Sequence, residues 1–490
     1  MKSFGNIAKD GQVRAVASGA LTDGASVVVN SDGTVSVVGG GASRSQVLGT
    51  ETVFESANSK QLSAAYDTTN DKVLIAYSDI GNSQKGTAIV GTVSGSSISF
   101  GSAEVFETGA VNFTATGFDP SEGRFLIAYR DGGDSNKGKA VVATISGTSV
   151  SFSSVYVFNS AGNTVYNSIV YDTPSGNMVI TYGDYANNQY GTSVVATISG
   201  ASVSFGTPVV FNSAATGWVN SVYDSNAEKV FIGFEDSGNG DYPTGIVGTV
   251  SGTSISFGSE TVVASHLSNY VRVGFDSTNN KVVMVWRNRD DSDTGYAAVG
   301  TITGTSVSFG TPVKFSGSES VIMTGPNVIS FDTTSGGILI AYEDTDRDAV
   351  VIRGVISGTT ITFDTPVVLD TGGGSSHEHI GLVYDPDEDR HVVFYKDGAE
   401  SNYSTAIVYS PAYSSTNLTS ENFIGFSDGA FADTDSAVIN TTNTIDRNQS
   451  GLTAGQTYFV QGDGTLGLTA DDPSVTAGTA ISATELIVKG

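Results

Sequence analysis

Apolar and polar residues alternate with period two through most of the chain, in short runs rich in Val, Ile, Thr, Tyr and Phe that are broken by clusters of Gly, Asn, Asp and Ser. Such alternation marks strands with one buried face. The runs recur as a unit whose clearest copy spans Val165 to Phe211: VYNSIVYD, NMVITYGD, GTSVVATISG and ASVSFGTPVVF, predicted strands a to d. A Tyr/Phe-Asp dipeptide closes each strand a and places a marker aspartate at Asp67, Asp119, Asp172, Asp224, Asp276, Asp332 and Asp385, with steps of 52, 53, 52, 52, 56 and 53 residues. Ten residues after each marker stands an aromatic (Tyr77, Tyr129, Tyr182, Phe234, Trp286, Tyr342, Tyr395). Twelve after it stands Asp79, Asp131, Asp184, Asp236, Asn288, Asp344 or Asp397.

A four-stranded unit of this length cannot bury both its faces alone, so it must stack on copies of itself as a propeller or a solenoid. The ends of the array choose between them. The seventh copy stops after strand c, near Tyr409, and its missing d appears ahead of the first copy as SQVLGTETVF, which aligns with SISFGSAEVF ending at Phe106. A solenoid needs polar caps, whereas a strand lent from the N-terminal side closes a circle. The predicted fold is all-β: a seven-bladed β-propeller over 45–409, closed by an N-terminal strand. The flanks, 1–44 and 410–490, carry further strand-like pieces (RAVASG, ASVVVN and TVSVVGG; NFIGFSD, SAVINTT, QTYFVQG and ELIVKG). Because both flanks leave the propeller at its last blade, they are expected to pack together as one small anchoring β domain.

The a–b and c–d turns keep their length and type from copy to copy, while the d–a and b–c loops vary and emerge together on the opposite face. Recognition is expected on that variable face. Aspartates present in every copy read as frame, because a closed propeller normally has one active centre and an Asp opening a turn can bind backbone N–H groups two residues on. The loops from Asp79 and Asp131 offer oxygens that suit calcium but lack the spacing of a recognised site, so no cofactor is expected.

Departures from the repeat carry more. Six residues before the markers stand Gln61, Phe113, Tyr166, Trp218, Tyr270, Pro326 and His379. Four consecutive blades thus place an aromatic there: Phe113, Tyr166, Trp218 and Tyr270 are candidate platforms for a sugar ring. WRNRDDSD in blade five, with Trp286, Arg287 and Arg289, and DTDRDA in blade six, with Arg347, are candidates to clasp a carboxylated glycan. The repeated b-strand aromatic, Trp286 among them, also reads as packing between blades. His377, His379 and His391 cluster in blade seven, and HEH on a regular strand would point both imidazoles to one side, a weak indication of a transition-metal site. No catalytic residue stands out. No nucleophile elbow, Walker loop, HExxH or dinucleotide fingerprint is present, and GDGTLG from Gly462 lies in a turn with no helix to follow.

The formal charge of −27, from 50 Asp and Glu against 23 Lys and Arg, argues against nucleic acid or an anionic membrane as partner. Absence of Cys removes disulfide and thiol chemistry. The first 30 residues lack a signal-like apolar core, which leads to the expectation of a protein kept in the cytoplasm or exported without a cleaved leader, as in assembly into a virus particle before lysis.

The repeat AYRDGGDSNKGKAVVATISGTSVSF resembles the arrays of virion structural proteins, of tail-fibre or tail-associated type, from marine tailed bacteriophages. The C-terminal phrases NLTSENFIGFSDGAFAD, QSGLTAGQTYFVQGDGTLGLT and SATELIVKG are similar to a tail-end module of the same proteins. The resemblance implies a particle component assembled in the host cytoplasm and exposed to the medium, homo-oligomeric through its flanking domain, with other virion proteins and a host-surface glycan as partners. The expected function is a non-enzymatic virion surface protein of fibre or decoration type. The alternatives are a propeller glycosidase or polysaccharide lyase, and a capsid decoration without a ligand.

Overall fold

In the computed structural model, which describes residues 11–39, 43–372, 375–414, 416–470 and 474–489, each repeat forms one antiparallel sheet in the order a, b, c, d. In blade three, strand a (Thr164–Asp172) pairs with b (Asn177–Asp184), and b with c (Tyr190–Ser199). The outer edge of c takes two pieces of d: Ser202–Phe205 and the first part of the long strand Val209–Asp224, whose second part is strand a of blade four.

At the break in d of blade three, the chain makes a close approach that only glycine permits. A Cβ on Gly206 would lie 1.9 Å from the carbonyl oxygen of Thr253, in the c–d turn of the next blade. The same contact recurs at Gly101 with Thr148 (1.9 Å), Gly258 with Thr305 (1.8 Å) and Gly310 with Thr359 (2.0 Å). Main chain therefore rests on main chain at the outer rim.

Between blades, a Phe at the end of d packs on the b-strand aromatic of the next blade: Phe54 on Tyr77, Phe106 on Tyr129, Phe158 on Tyr182, Phe211 on Phe234 and Phe315 on Tyr342, with centroids 5.2–5.8 Å apart. Each such pair contributes about 0.5–1.5 kcal/mol beyond its buried area. Blade four has Val262 and Val263 at the end of d, and the b-strand residue facing that smaller end is the larger Trp286.

Blade seven obtains d from Val47–Leu48 and Thr52–Glu55, which pair with its strand c, Tyr403–Ser410. Phe54, Leu62, Ile75 and Tyr77 then share one buried cluster with Val392, Phe394, Ala406 and Val408, so the first and last blades pack on each other. Strand a of each blade touches strand a of both its neighbours all the way round. The ring is closed, and seven innermost strands surround one axis.

The marker aspartates are buried and hold the a–b turns. Asp276, for example, accepts from Thr278 N (2.8 Å) and Asn279 N (2.9 Å), and the pattern of two backbone donors recurs at Asp67, Asp119, Asp224, Asp332 and Asp385.

The chain divides into two compact units, Gln46–Pro411 and Met1–Ser45 with Ala412–Gly490. In the second unit, Gln12–Val16, Ser436–Asn440, Phe423–Ser427, Ser26–Val29 and Val35–Val37 form one antiparallel sheet that interleaves the two ends of the chain. A second sheet (Ile445–Asp446, Leu486–Val488, Val475–Ala480, Thr457–Val460, Leu466–Gly467) packs on it through Val28, Phe426, Tyr458, Val460, Ala477 and Leu486.

Candidate ligand site at the propeller axis

Strand a does not run straight in six of the blades. Its pairing with b slips between Lys60 and Ser63, Asn112 and Ala115, Val165 and Ser168, Gly217 and Asn220, Asn269 and Arg272, and Glu378 and Gly381, leaving two residues bulged. The first bulged residue is the one six before the marker, and its φ is positive each time: Gln61 59°, Phe113 52°, Tyr166 54°, Trp218 49°, Tyr270 52° and His379 56°. For an L-residue this left-handed conformation costs of order 1 kcal/mol or more. Gly or Asn would hold it more cheaply, so the bulge itself gives no reason for four aromatic side chains.

Those side chains meet. Phe113 and Tyr166 have centroids 5.3 Å apart, Tyr166 and Trp218 4.9 Å, and Trp218 and Tyr270 4.5 Å, which makes a continuous arc over blades two to five. Phe113, Tyr166 and Trp218, with Gln61, Pro326 and His379 closing the circle and Asn167 and Arg272 beside them, line an axial cavity of about 240 Å³ toward the variable face, and Tyr270 extends the arc behind Trp218. All four rings are half-buried. A second axial space of about 290 Å³, lined by Ser168, Asn220, Val273 and Asn327 among others, continues toward the fixed turns.

Three guanidinium groups cover the arc: Arg130 lies 4.7 Å from the centre of Phe113, Arg272 5.4 Å from Trp218 and Arg287 4.6 Å from Tyr270. Arg272 is 4% exposed and donates to the carbonyls of Gly325 (2.6 Å), Val271 (2.8 Å) and Thr324 (3.3 Å). Burial lowers its pKa to about 10. Glu235 lies beside Gly217, the residue before Trp218, and burial pushes its carboxyl up to about 7, with Asp241 adding to the rise and Arg289 opposing it. The buried atoms Arg130 Nε, Asn167 Oδ1 and Glu235 Oε2 have no hydrogen-bond partner. His379 is driven down to about 4 by burial and is neutral at physiological pH.

Of the residues singled out in the sequence, Phe113, Tyr166 and Trp218 line this cavity; Tyr270 packs on Trp218 outside the lining, and Arg287 stacks on Tyr270 while donating to Asn269 Oδ1 at 2.7 Å. Arg289 is exposed on the loop near Glu235. Trp286 is corrected: it is fully buried, stacked on Tyr296 at 6.1 Å and beside His266, and belongs to the core between blades. Arg347 is exposed on the b–c loop of blade six and does not line the cavity.

The pairing of the histidines is corrected too. The bulge between Glu378 and Gly381 breaks the alternation, so His379 turns to the axis, while His377 is buried with Nδ1 2.6 Å from the Arg347 carbonyl and Nε2 2.6 Å from Asp370 Oδ2. His391 lies elsewhere, buried against Tyr384. Among the described residues, His377, Asp370 and Asp397 are the group whose ligand atoms come close enough together to hold a metal ion. Both ring nitrogens of His377 are in hydrogen bonds, one of them to Asp370 of the same group. Its pKa is raised because the Arg347 carbonyl and Asp370 outweigh burial, which alone would lower it. Of the loops considered for calcium, Asp79 accepts from Asn82 N (3.0 Å), and Asp131 accepts from Gly133 N (2.8 Å) and pairs with Lys139 (2.6 Å).

Sequence reasoning missed Arg272, Arg130, Lys60 and Glu235. Arg272 had left a trace, a lone cation inside the apolar strand VRVGFD where the other copies carry Ser63, Ala115, Ser168, Asn220, Val328 and Gly381.

No protein-family model and no curated protein matches the chain. Among solved structures, it is similar to the BP39L lectin from Burkholderia pseudomallei, with a TM-score of 0.50 and 12% identity over 74% of this chain and 99% of that one. It is also similar to the β-propeller domain of Cps50 (Swd1) from Myceliophteria thermophila, with a TM-score of 0.45 and 10% identity over 73% of this chain and 99% of that one. The likeness to the lectin is one of fold: the chain contains a β-propeller.

Proposed function

We propose that the propeller is a non-enzymatic glycan-binding module and that a sugar residue occupies the axial cavity against the Phe113–Tyr166–Trp218–Tyr270 arc. The carrying observation is that arc: four adjoining, half-exposed rings held in a costly backbone conformation, three of which line one cavity. Ring faces accept the apolar C–H side of a sugar, and the partnerless Arg130 Nε and Asn167 Oδ1 suit its hydroxyls. At about 240 Å³ the space falls below the usual range for drug-sized ligands and suits a single ring rather than a long chain segment. A propeller that is a lectin in another organism is compatible with this use.

Display on a virus particle, with the unit built from both chain ends as the anchor, is part of the proposal and is supported by the likeness of the repeat and C-terminal phrases to virion proteins. Purified full-length protein on a glycan array should retain a defined set of glycans, and Trp218→Ala should abolish retention while changing stability by no more than roughly 1 kcal/mol. Unchanged retention by Trp218→Ala would remove the axial site. Antibodies to the chain should label intact particles from a producing culture; label confined to the soluble fraction would remove the virion assignment and leave sugar binding standing.

A further inference from the structure

Three cations stand at the axial cavity: Arg272 is in its lining, Arg130 stacks on the lining residue Phe113, and Lys60 precedes the lining residue Gln61. Arg272 is bound only to neutral carbonyls and stacked on Trp218. Arg130 stacks on Phe113 and reaches Asn163 Oδ1 at 3.4 Å, with its Nε buried and unbonded. Lys60, one residue before Gln61, donates to Gln84 Oε1 at 3.2 Å. Among the described residues, none of the three lies in an ion pair, although Asp and Glu outnumber Lys and Arg by 50 to 23 in the chain. Burial lowers the pKa of all three, and the charge of Arg130 lowers that of Lys60 further. Bringing like charges together away from water is unfavourable unless something compensates it.

We infer that the sugar taken by this cavity carries a carboxylate, which Arg130, Arg272 and Lys60 bind. The inference rests on the sugar-binding reading above and narrows it to uronic and sialic types. A guanidinium presents two parallel N–H donors that match the two oxygens of a carboxylate, and three of the five donors of Arg272 are occupied by carbonyls, which leaves two. A cationic ligand is disfavoured by the same geometry. Arg130, Arg272 and Arg287 already stack on three of the four rings, so a choline or methylammonium group would meet their charge as well as the ring faces.

The test titrates the full-length protein with the methyl glycosides of glucuronic, galacturonic and N-acetylneuraminic acids, each beside its neutral methyl ester, by calorimetry and by tryptophan fluorescence. The chain has two tryptophans and Trp286 is fully buried, so a signal lost in Trp218→Phe comes from the cavity. At least one acid should bind about tenfold more tightly than its ester, the preference should fall with salt, and Arg130→Gln and Lys60→Gln should each shrink it with the ester's affinity kept. Arg272 also ties blade five to the strandless segment of blade six, so Arg130 and Lys60 are the deciding positions. Equal binding of acid and ester, or a preference unchanged in both variants, overturns the inference and leaves sugar binding intact. No Trp218-dependent binding of any glycoside overturns both. Inorganic sulfate binding as tightly as the best acid marks a simple anion site and overturns the sugar-acid assignment.

Discussion

Glu235 holds a carboxyl where ionisation is costly, and this yields a prediction about stability that is independent of any ligand. Its ordinary value of 4.5 is raised to about 7, chiefly by burial; Oε2 has no hydrogen-bond partner and Arg289 offsets only part of the penalty. The folded state therefore binds a proton over the interval from 4.5 to about 7 that the unfolded chain releases. Stability from this group is fully present below 4.5, is lost as pH rises toward 7, and stays lost above it. A shift of that size corresponds to roughly 3 kcal/mol, discounted to about 2 kcal/mol for partial solvent access. Glu235→Gln removes the ionisation and keeps the shape. Urea denaturation of the wild type and of Glu235→Gln should give equal midpoints near pH 4, whereas at pH 8 the variant should be more stable by about 2 kcal/mol. Comparing the two proteins at each pH cancels every other titrating group, including His377, whose raised pKa also makes stability fall with rising pH. A stability difference that does not change with pH would refute the assignment of Glu235 as a buried, unpaired carboxyl.

Three further outcomes test the frame. Gly258→Ala should cost about 2–4 kcal/mol in urea denaturation, because its Cβ would lie 1.8 Å from the Thr305 carbonyl oxygen, whereas Gly304→Asn, at φ 62° with open space around it, should cost less than about 1 kcal/mol. Equal effects would show that the rim contact is loose. Asp276→Ala strands the N–H groups of Thr278 and Asn279 and the amide of Asn279, and should cost about 2–4 kcal/mol; a loss under about 0.5 kcal/mol would mean that water replaces the carboxylate. Phe54→Ala empties the seam between the first and last blades and should cost about 3–5 kcal/mol, with hydrogen exchange accelerating first in Tyr403–Ser410; uniform acceleration round the ring would argue against a seam that opens separately.

The frame was legible because its determinants are local and repeated. Strand alternation, the marker aspartates with their turn-binding side chains, and a d strand displaced to the N-terminal side each report on neighbouring residues. The count of seven sheets and the closure of the ring follow from them. The repeated b-strand aromatic likewise marked the core between blades, and Trp286 misled only when it was taken to share the exposure of its neighbours in WRNRDDSD. Strict alternation also failed for HEH, because a bulge leaves no sign that period two can show: it turned His379 to the axis and left His377 buried beside Asp370.

Sequence by itself determined the number of blades, their order and which strand completes the last, since each depends on patterns within about fifty residues. Tertiary structure alone decided that Phe113, Tyr166, Trp218 and Tyr270 form one surface, and that Arg272 in the cavity lining, Arg130 on Phe113 and Lys60 beside Gln61 come together there. These residues lie one to four repeats apart, and only closure about a common axis, with a bulge that turns one side chain per blade inward, brings them within contact distance.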